Sequence, residues 1–424
     1  MRLGERFAGE AGDRKAYVSG THRACTPDET WARIAPRFGE FGITRVADVT
    51  RLDRLGVPVA MAIRPNARSL SVSQGKGATW AEARVSAAME AIECWHAERF
   101  DEPGVIAGYA EIRERGAVIE PRRLPLRAGT VFHDRLPIAW VEGWDLMANE
   151  PTWVPRELVA LDMLVERVDR VSCFPVTTNG LASGNTLTEA TLHALYELIE
   201  RDATSLWVCR QIRGTSHETR VDPGSVDHPV SRAIIARFVE QGFEIALHDE
   251  TTDLGVPSFG CRIFERDPVS WDHPLGGAGG AGCHLDPGVA LLRALTEAAQ
   301  SRLTFITGSR DDLSRRHFQD LRPLRRTHAT APPPEFQLPT PLSFQARRSL
   351  ATESLAGDLG ALRARLAAIG VDRIVVVDLG RSSQGFSVVR VVAPDLEHVG
   401  DNAGLRRVGP RARRVLDGDQ RPSQ

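Results

Sequence analysis

The chain has 424 residues, of which 42% are hydrophobic and 25% are charged, and its formal net charge is −2. This composition is that of a globular protein, and the small net charge provides no general field to attract nucleic acid or an anionic membrane. Residues 1–20 lack an apolar core of signal-peptide length, and no run approaches the roughly 18 apolar residues that span a bilayer. We therefore expect a cytoplasmic protein that binds neither nucleic acid nor a membrane.

Predicted strands and helices alternate along the chain, which favours an α/β or α+β fold class. The helices are predicted at 79–100, from about 186 to about 210, and at 231–241, 287–307 and 352–369. The strands are predicted at 57–63, 171–176, 243–248, 255–266, 373–378 and 387–392. Three segments rich in Gly, Ser or Asn, at 69–77, 177–185 and 275–282, are predicted as loops. A proline-rich excursion is expected at 322–342, and the last dozen residues are expected to be disordered.

Three of the predicted helices carry a strip of polar, mostly acidic side chains that covers no more than about 80° of the helix circumference. The strips are Ser86, Glu90 and Glu93 on the first helix, Glu189, Glu197 and Glu200 on the second, and Arg293, Glu297 and Gln300 on the third. Small and apolar residues flank the strips, and carboxylates in such a setting are costly unless cations meet them. The pattern predicts a site where several glutamates hold divalent metal ions.

Each of these helices follows a flexible polar or glycine-rich segment, and the N–H groups at a helix start favour anions. Phosphate at the loops and metal at the glutamates would together form a nucleotide–metal site. Residues 71–77 are not a Walker A motif, because Leu70 stands where its first glycine should be and Gly77 replaces its Ser or Thr. Lys76, one of only two lysines in the chain, lies between two glycines. Generic motifs therefore leave two interpretations, a nucleotide–metal site or a set of helices with solvated acids.

The combination of motifs resembles the signature of the YcaO family. The segments that carry this resemblance are Ser-Gln-Gly-Lys-Gly at 73–77 with 87–93, Asn-Gly-Leu-Ala-Ser-Gly-Asn at 179–185 with 197–202, and 293–302. The resemblance implies an N-terminal extension at 1–20, a YcaO domain at 21–400 that includes the proline-rich excursion, and a polar tail at 401–424. It also implies the YcaO-type ATP-binding fold, with mixed sheets and the three acid-bearing helices around the nucleotide site.

Carried over by motif, the resemblance implies ATP and Mg²⁺ as cofactors. The implied nucleotide-binding residues, with Lys76 added, are Arg23, Thr30, Lys76, Ser86, Asn185, Glu189, Arg201 and Arg293. The implied metal ligands are Glu90, Glu93, Glu197, Glu200 and Glu297. Arg201 has an alternative role as a surface ion-pair partner of Glu197, four residues away. The catalytic base is not identified, and the candidates are an ATP-site glutamate, His284 or a group on the substrate.

YcaO enzymes act on peptide backbones, where a nucleophile adds to an amide carbonyl and ATP phosphorylates the resulting oxyanion. A Cys, Ser or Thr side chain as the nucleophile gives an azoline ring, whereas external sulfide gives a thioamide. Azoline-forming members commonly end in a Pro-x-Pro-x-Pro tail, which this chain lacks, and residues 282–302 are most similar to YcaO proteins that work with a TfuA partner.

The resemblance therefore implies thioamidation, with an azoline-forming cyclodehydratase and a non-catalytic ATP-binding accessory as the alternatives. The implied partners are a peptide substrate, a TfuA-like or peptide-recognition protein, and a second copy of the chain in a homodimer.

Overall fold

The computed structural model describes residues 3–10, 14–102, 104–127, 129–161, 163, 172–266, 277–312, 336, 338–380, 384–398 and 408–418. Most of the predicted proline-rich excursion, residues 322–335 and 337, lies outside the described residues, as do 401–407 and 419–424 of the predicted tail. Among the described helices, none combines the length and the apolar character that crossing a membrane requires.

The described chain alternates between helices and short strands. The helices are α1 (Leu3–Gly9), α2 (Pro27–Ile34), α3 (Trp80–Glu98), α4 (Tyr109–Ile112), α5 (Leu187–Ile212), α6 (Pro229–Glu240), α7 (Pro287–Thr307), α8 (Leu355–Ala368) and α9 (Pro410–Asp417). The strands are β1 (Arg45–Asp48), β2 (Val59–Ile63), β3 (Val72–Lys76), β4 (Val105–Ala107), β5 (Ile138–Asp145), β6 (Glu150–Pro155), β7 (Leu181–Gly184), β8 (Arg220–Val221), β9 (Phe243–Asp249), β10 (Ser258–Glu265), β11 (Gly277–Cys283), β12 (Val375–Asp378) and β13 (Ser387–Val392).

The strands form three sheets. The first has the order β1-β2-β3, the second β11-β10-β9-β8, and the third β4-β5-β12-β13-β7 with β6 also paired to β5. The pairings between these strands are antiparallel. The predicted α/β or α+β class is confirmed. Of the two, α+β describes the structure better, because its sheets are antiparallel and neighbouring antiparallel strands need no helical crossover.

Each acid-bearing helix directly follows one strand, so β3–α3, β7–α5 and β11–α7 are three versions of one unit. The residue before each helix caps its free N–H groups with a side-chain oxygen. Thr79 accepts from the N–H of Glu82, Thr186 from that of Glu189, and Asp286 from that of Gly288. These caps fix the residue at which each helix begins. They therefore help to fix the position of the polar strip on each helix.

The three predicted loops at 69–77, 177–185 and 275–282 contain β3, β7 and β11, so their assignment as loops was wrong. Their glycines are required by close backbone contact with the helix that follows. A Cβ atom on Gly75 would lie 2.0 Å from the Ala87 nitrogen, and one on Gly282 would lie 2.1 Å from the Ala290 oxygen. Glycine is therefore present here because a helix backbone covers the strand, and not because the strand turns.

A strand was predicted at 171–176. The structure describes residues 172–176 of this segment, and they do not form a strand. The carboxylate of Glu157 accepts hydrogen bonds from the backbone N–H groups of Cys173 and Phe174 at 2.9 and 3.1 Å. A side chain thus binds the donors that a neighbouring strand would otherwise use.

The C-terminal segment differs from the prediction, because residues up to Asp417 form helix α9 where disorder was expected. Its Arg411 is only 5% exposed and pairs with the buried Asp202 of α5. Near the other end of the chain, the carboxylate of Glu10 accepts from the N–H groups of Leu187 and Thr188 in the first turn of α5. Polar contacts to α5 therefore order helix α9 and the segment around Glu10. Because the partners lie far apart in the chain, local sequence patterns do not reveal these contacts.

Each acid-bearing helix packs into a separate hydrophobic core. Helix α3 packs with residues of the first and third sheets, α5 with α8 and β13, and α7 with α6 and the second sheet. The apolar face of each helix is thereby fixed in its own core. The three polar strips are left to face the space where these cores meet.

The close contact at Gly75 generates a test of this packing. We expect Gly75→Ala to lower the free energy of unfolding by about 1–3 kcal/mol or more, because the added methyl group meets backbone atoms that cannot move alone. Gly360, on the exposed face of α8, has no atom within 4 Å of the position that an added methyl group would take, and it is the matched control. Gly360→Ala should raise stability by about 0.5–1 kcal/mol. Urea denaturation measures both changes, and equal stability of the two variants would contradict this account of the β3–α3 contact.

Candidate functional site

A cavity of about 460 Å³ lies where the polar strips of α3, α5 and α7 meet. All of the site residues that the resemblance implied line this cavity, although they come from segments far apart in the chain. They are Arg23, Thr30, Lys76, Ser86, Glu90, Glu93, Asn185, Glu189, Glu197, Glu200, Arg201, Arg293 and Glu297. The structure therefore brings the predicted residues together, and their individual roles stay predictions.

The strip of α3 reaches the cavity through Ser86, Glu90 and Glu93. Glu93 is 9% exposed, and its Oε1 accepts hydrogen bonds from the N–H and hydroxyl of Ser183 at 2.8 and 2.6 Å. This pair joins α3 to β7. Glu90, one turn earlier, faces the cavity and is exposed to it.

The strip of α5 is fixed at its two ends. Near the start, Glu189 is 3% exposed and accepts from the N–H of Ala24 at 2.8 Å and from Arg23 Nη1 at 3.2 Å. Near the other end, Glu200 accepts from the N–H of Cys283 at 3.1 Å and from Arg293 Nη2 at 3.4 Å. Both glutamates therefore have fixed orientations.

Glu197, which lies between these two glutamates on α5, and Arg201, which directly follows Glu200, also line the cavity. The Nη2 of Arg201 and the Oε1 of Glu197 are 4.0 Å apart, at the outer limit of an ion pair. The i, i+4 partnership that was the alternative for Arg201 is thus present but long. It leaves both side chains on the cavity wall.

Two further contacts fix predicted side chains at the cavity wall. Lys76 of β3 forms an ion pair with Glu297 of α7, which joins two of the three strand–helix units. The hydroxyl of Thr30 donates to Asn185 Oδ1 at 2.9 Å. These contacts orient side chains from α2, β3, α7 and the connection between β7 and α5.

Desolvation has a large effect on the acids of the cavity. Although Glu90 is exposed to the cavity, the protein around it keeps most bulk water away. This desolvation raises the pKa of Glu90 and of Glu197 to about 7, and that of Glu93 to about 8. Burial acts in the same direction on Glu297, but the positive charges of Lys76, Arg201 and Arg293 together outweigh it and lower the pKa of that carboxyl. Near neutral pH, three neighbouring carboxylates are therefore poised between their protonated and charged forms, and a bound divalent cation would stabilise the charged form.

Arg390 lies near these acids and was missed by the sequence analysis. It is 1% exposed and donates to the carbonyl oxygens of Asn179 and Thr177 at 2.7 and 2.9 Å. Burial lowers its pKa to about 10, and the nearby charges of Glu197 and Glu93 act in the opposite direction. The signal that could have revealed it is an arginine inside a run of valines at 387–392. Arg390 supplies positive charge near the acids and holds the segment that carries Thr178 to the cavity.

The cavity is also lined by polar residues that the sequence analysis did not assign to the site, among them Gln74, Ser183, His193 and Arg310. Gln74 is 7% exposed, and its backbone carbonyl oxygen accepts from Gln300 Nε2 at 3.0 Å. The Nδ1 of His193 has no hydrogen-bond partner within the described part of the chain. Burial holds the pKa of His193 well below its usual range, so the imidazole is neutral.

His284, named above as a candidate base, does not line this cavity. It is 5% exposed, its Nδ1 accepts from the N–H of Asp286 at 2.9 Å, and its ring lies 4.5 Å from that of Tyr196. These contacts hold the imidazole just before the start of α7, and its candidacy as the base stays a prediction.

The acids of the cavity fit a metal ion that also binds phosphate. Within the described ranges, no group of three His, Cys, Asp or Glu side chains is close enough to hold a metal ion alone. Mg²⁺ usually takes one or two carboxylates and completes its octahedron with water and phosphate oxygens. A cavity with separated glutamates and five lining cations, Arg23, Lys76, Arg201, Arg293 and Arg310, has the donor set for a magnesium–phosphate ligand.

Comparisons with known proteins agree with this chemistry. The family model described as YcaO cyclodehydratase, ATP- and Mg²⁺-binding, matches residues 74–397. A protein from the tfuA 3′ region of Rhizobium leguminosarum bv. trifolii is 40% identical over 406 residues, which are 93% of each chain. A protein from Methanothermobacter thermautotrophicus is 36% identical over 402 residues, which are 92% of this chain and 98% of that protein.

Solved structures show the same likeness. YcaO from Methanopyrus kandleri, bound with AMPPCP and Mg²⁺, matches with a TM-score of 0.69 and 26% identity over 94% of this chain and 99% of that one. A heterocyclase in complex with substrate and cofactor matches with a TM-score of 0.73 over 96% of this chain. This chain spans only about half of that heterocyclase, 55%, and at 23% identity the match shows the fold alone. The family resemblance of the sequence is thus confirmed, and the chain belongs to the YcaO family.

Proposed function

We propose that this protein is an enzyme that uses ATP and Mg²⁺ to convert a backbone amide of a peptide to a thioamide: sulfide adds to the amide carbonyl, ATP phosphorylates the resulting oxyanion, and the oxygen leaves as phosphate. The observation that carries the use of ATP and Mg²⁺ is the cavity in which glutamates of three helices meet Lys76, Arg201 and Arg293. The family description and the AMPPCP- and Mg²⁺-bound relative support the same cofactors.

The geometry supports a division of the cavity into two parts. Glu90, Glu93, Glu197, Glu200 and Glu297 would hold Mg²⁺ ions, with one or two of these carboxylates on each ion, and Lys76, Arg201 and Arg293 would bind the phosphate oxygens. The nucleoside would bind to the remaining predicted residues, Arg23, Thr30, Ser86, Asn185 and Glu189. Glu93, Glu189 and Glu200 are already fixed by hydrogen bonds, so binding orders few side chains, which limits its entropic cost.

The amide oxygen is a poor leaving group, and bound Mg²⁺–ATP supplies the phosphoryl group that makes it a good one. The residues of this chain would bind, orient and neutralise charge around that oxygen. Lys76 and Arg293 are held by Glu297 and Glu200, so their positive charges stand in fixed positions on the cavity wall. Preorganised charge of this kind stabilises a transition state without rearrangement.

The choice of sulfide as the nucleophile is supported by the relative that is 40% identical over 93% of both chains and lies in a tfuA region. A TfuA-like partner would then deliver the sulfur or recognise the peptide. The second candidate is a cyclodehydratase that forms azolines from Cys, Ser or Thr, and the description of the family model favours it. The two candidates need the same ATP chemistry and differ only in the nucleophile.

Mass spectrometry of the peptide separates the two candidates. We expect that the purified protein, given ATP, Mg²⁺, sulfide, a TfuA-like protein and peptides encoded near its gene, replaces one oxygen of a peptide by sulfur. Loss of one water without a need for sulfide would instead establish the cyclodehydratase. Sulfide omitted from a parallel reaction is the control, and a peptide that gains sulfur without ATP would contradict the proposed activation.

Glu90 tests the metal assignment. Glu90→Gln keeps the size of the side chain but removes a charge, so we expect ATP turnover to fall by about 10²-fold or more. Its thermal stability should be retained or increased, because a carboxylate whose charged form is disfavoured by its surroundings is removed. Glu111→Gln, on the exposed face of α4, is the matched control and should leave turnover unchanged. Full turnover in Glu90→Gln would exclude Glu90 from the metal site.

The raised pKa values of Glu90, Glu93 and Glu197 predict a pH dependence. A group whose pKa is raised on folding binds more protons in the folded state, so it favours that state less as pH rises between the two pKa values. The metal-free protein should therefore lose stability between about pH 4.5 and pH 8, the window set by the usual glutamate value and the value for Glu93.

Binding of Mg²⁺–nucleotide to the same carboxylates should release protons at pH 7, because the metal needs their charged forms. Calorimetry in two buffers of different ionisation enthalpy measures this release. Glu93→Gln should reduce it, and proton uptake by the wild type would contradict the assignment.

A further inference from the structure

The back of α5, opposite the cavity, is held by other parts of the chain. Glu200 and Asp202 are two residues apart, so at about 100° per residue their side chains leave the helix on nearly opposite faces. Glu200 lines the cavity, whereas Asp202 is 0% exposed and does not line it. The partners of Asp202 therefore determine how α5 is rotated about its own axis.

The main partner of Asp202 is Arg411 of the C-terminal helix α9. Its Nε donates to Oδ1 and its Nη2 to Oδ2 of Asp202, both at 2.9 Å. The same guanidinium donates to both carboxylate oxygens of Asp253, at 2.6 and 3.2 Å. Paired hydrogen bonds of this kind fix direction as well as distance. One side chain thus joins α9, α5 and the loop that follows β9.

Glu397 reinforces the junction between α9 and α5. It is 4% exposed, and its carboxylate accepts from the N–H groups of Gly409 and Ala412 at the start of α9, both at 3.0 Å. Its own backbone N–H donates to Oδ1 of Asp202 at 2.9 Å. Ala412 also packs with Leu206 and Cys209 of α5 in a small apolar cluster. The start of α9 is therefore fixed to the same carboxylate that Arg411 binds.

The loop held through Asp253 also touches α5 near the cavity. Thr204 of α5 donates to Glu250 Oε2 at 2.9 Å, and Glu250 is 7% exposed. Without Arg411, Asp202 would be a fully buried carboxylate that has lost its paired cation, which is strongly destabilising. Rotation of α5 would reduce the cost of this buried, unpaired charge by moving the Asp202 carboxylate toward water. The same rotation would turn Glu197 and Glu200 away from their positions on the cavity wall.

We propose that Arg411 is a positioning residue that sets the rotation of α5 and thereby the geometry in which Glu197 and Glu200 bind Mg²⁺. This inference rests on the proposed function, because that function assigns the two glutamates to the metal. For a variant that lacks the Arg411 charge, a positioning role and simple electrostatics predict opposite changes in Mg²⁺ affinity. Loss of a cation makes the surroundings more negative and would tighten Mg²⁺ binding, whereas loss of position weakens it.

The test measures the Mg²⁺ concentration that gives half of the thermal stabilisation of the protein by AMPPCP, which needs neither peptide nor turnover. We expect Arg411→Met to raise this concentration by about 10-fold or more, the usual effect of losing a group that orients metal ligands. Asp253→Asn should cause a smaller rise, since its side chain is 43% exposed and Asp202 keeps Arg411. If Arg411→Met fails to fold, Asp253→Asn alone provides the test: a rise in its Mg²⁺ requirement supports the positioning role, and no rise overturns it.

Arg373→Met is the matched control. Arg373 pairs with Asp145, which is also 0% exposed but lies in the third sheet and does not line the cavity. This variant should lower the melting temperature without moving the Mg²⁺ requirement. A rise in Arg373→Met equal to that in Arg411→Met would show a general effect of lost stability and overturn the proposal.

Two further outcomes separate this inference from the proposed function. An unchanged or lower Mg²⁺ requirement in the Arg411 and Asp253 variants, with normal binding by the wild type, overturns the positioning role alone. A wild type that binds Mg²⁺ and AMPPCP but converts no ATP contradicts the proposed activity, while the shift in the variants still supports the positioning role. A wild type that AMPPCP and Mg²⁺ do not stabilise overturns both.

Discussion

The burial of several carboxylates around one cavity is the constraint on which the rest of the structure depends. Glu93, Glu189 and Glu200 are each less than about one-tenth exposed, and so many buried acids repel one another unless cations and donors surround them. The protein meets this constraint with Lys76, Arg293 and Arg390, and with backbone N–H groups such as that of Ser183. A bound divalent cation would further reduce the repulsion between these carboxylates. The same buried negative charge thus accounts for the architecture of the cavity and for its proposed binding of Mg²⁺.

Three strand–helix units deliver these acids to one place. In each unit a short strand passes directly under the helix that follows, and glycines such as Gly75 and Gly282 allow backbone to approach backbone. The apolar face of each helix packs in its own core, which directs its polar strip toward the cavity. The site is therefore built on regular elements, which hold side chains more precisely than loops do.

Helix α5 receives additional support from segments near both ends of the chain. Glu10 caps its first turn, and Arg411 pairs with Asp202 on its back face. Its residues Glu189, Glu197 and Glu200 line the cavity, so a small rotation of this one helix would displace the three carboxylates together. This arrangement explains why polar, solvent-compatible segments near the termini are ordered where they contact α5.

The sequence by itself determined the acid-bearing helices and the residues of their polar strips. Helical periodicity is a local property, so Glu90 and Glu93 fall on one face whatever the rest of the chain does. The motifs likewise identified Arg23, Lys76 and Arg293, all of which the fold brings to one cavity.

Only the tertiary structure decided which glycine-rich segments are strands, because the helix backbone that covers Gly75 or Gly282 lies outside any local pattern. It also decided the roles of Arg390 and Arg411, whose side chains look like surface charges until partners more than about 200 residues away enclose them. The physical reason is that periodicity is set by the chain's own geometry, whereas burial of a charge depends on contacts between segments that the sequence does not place side by side.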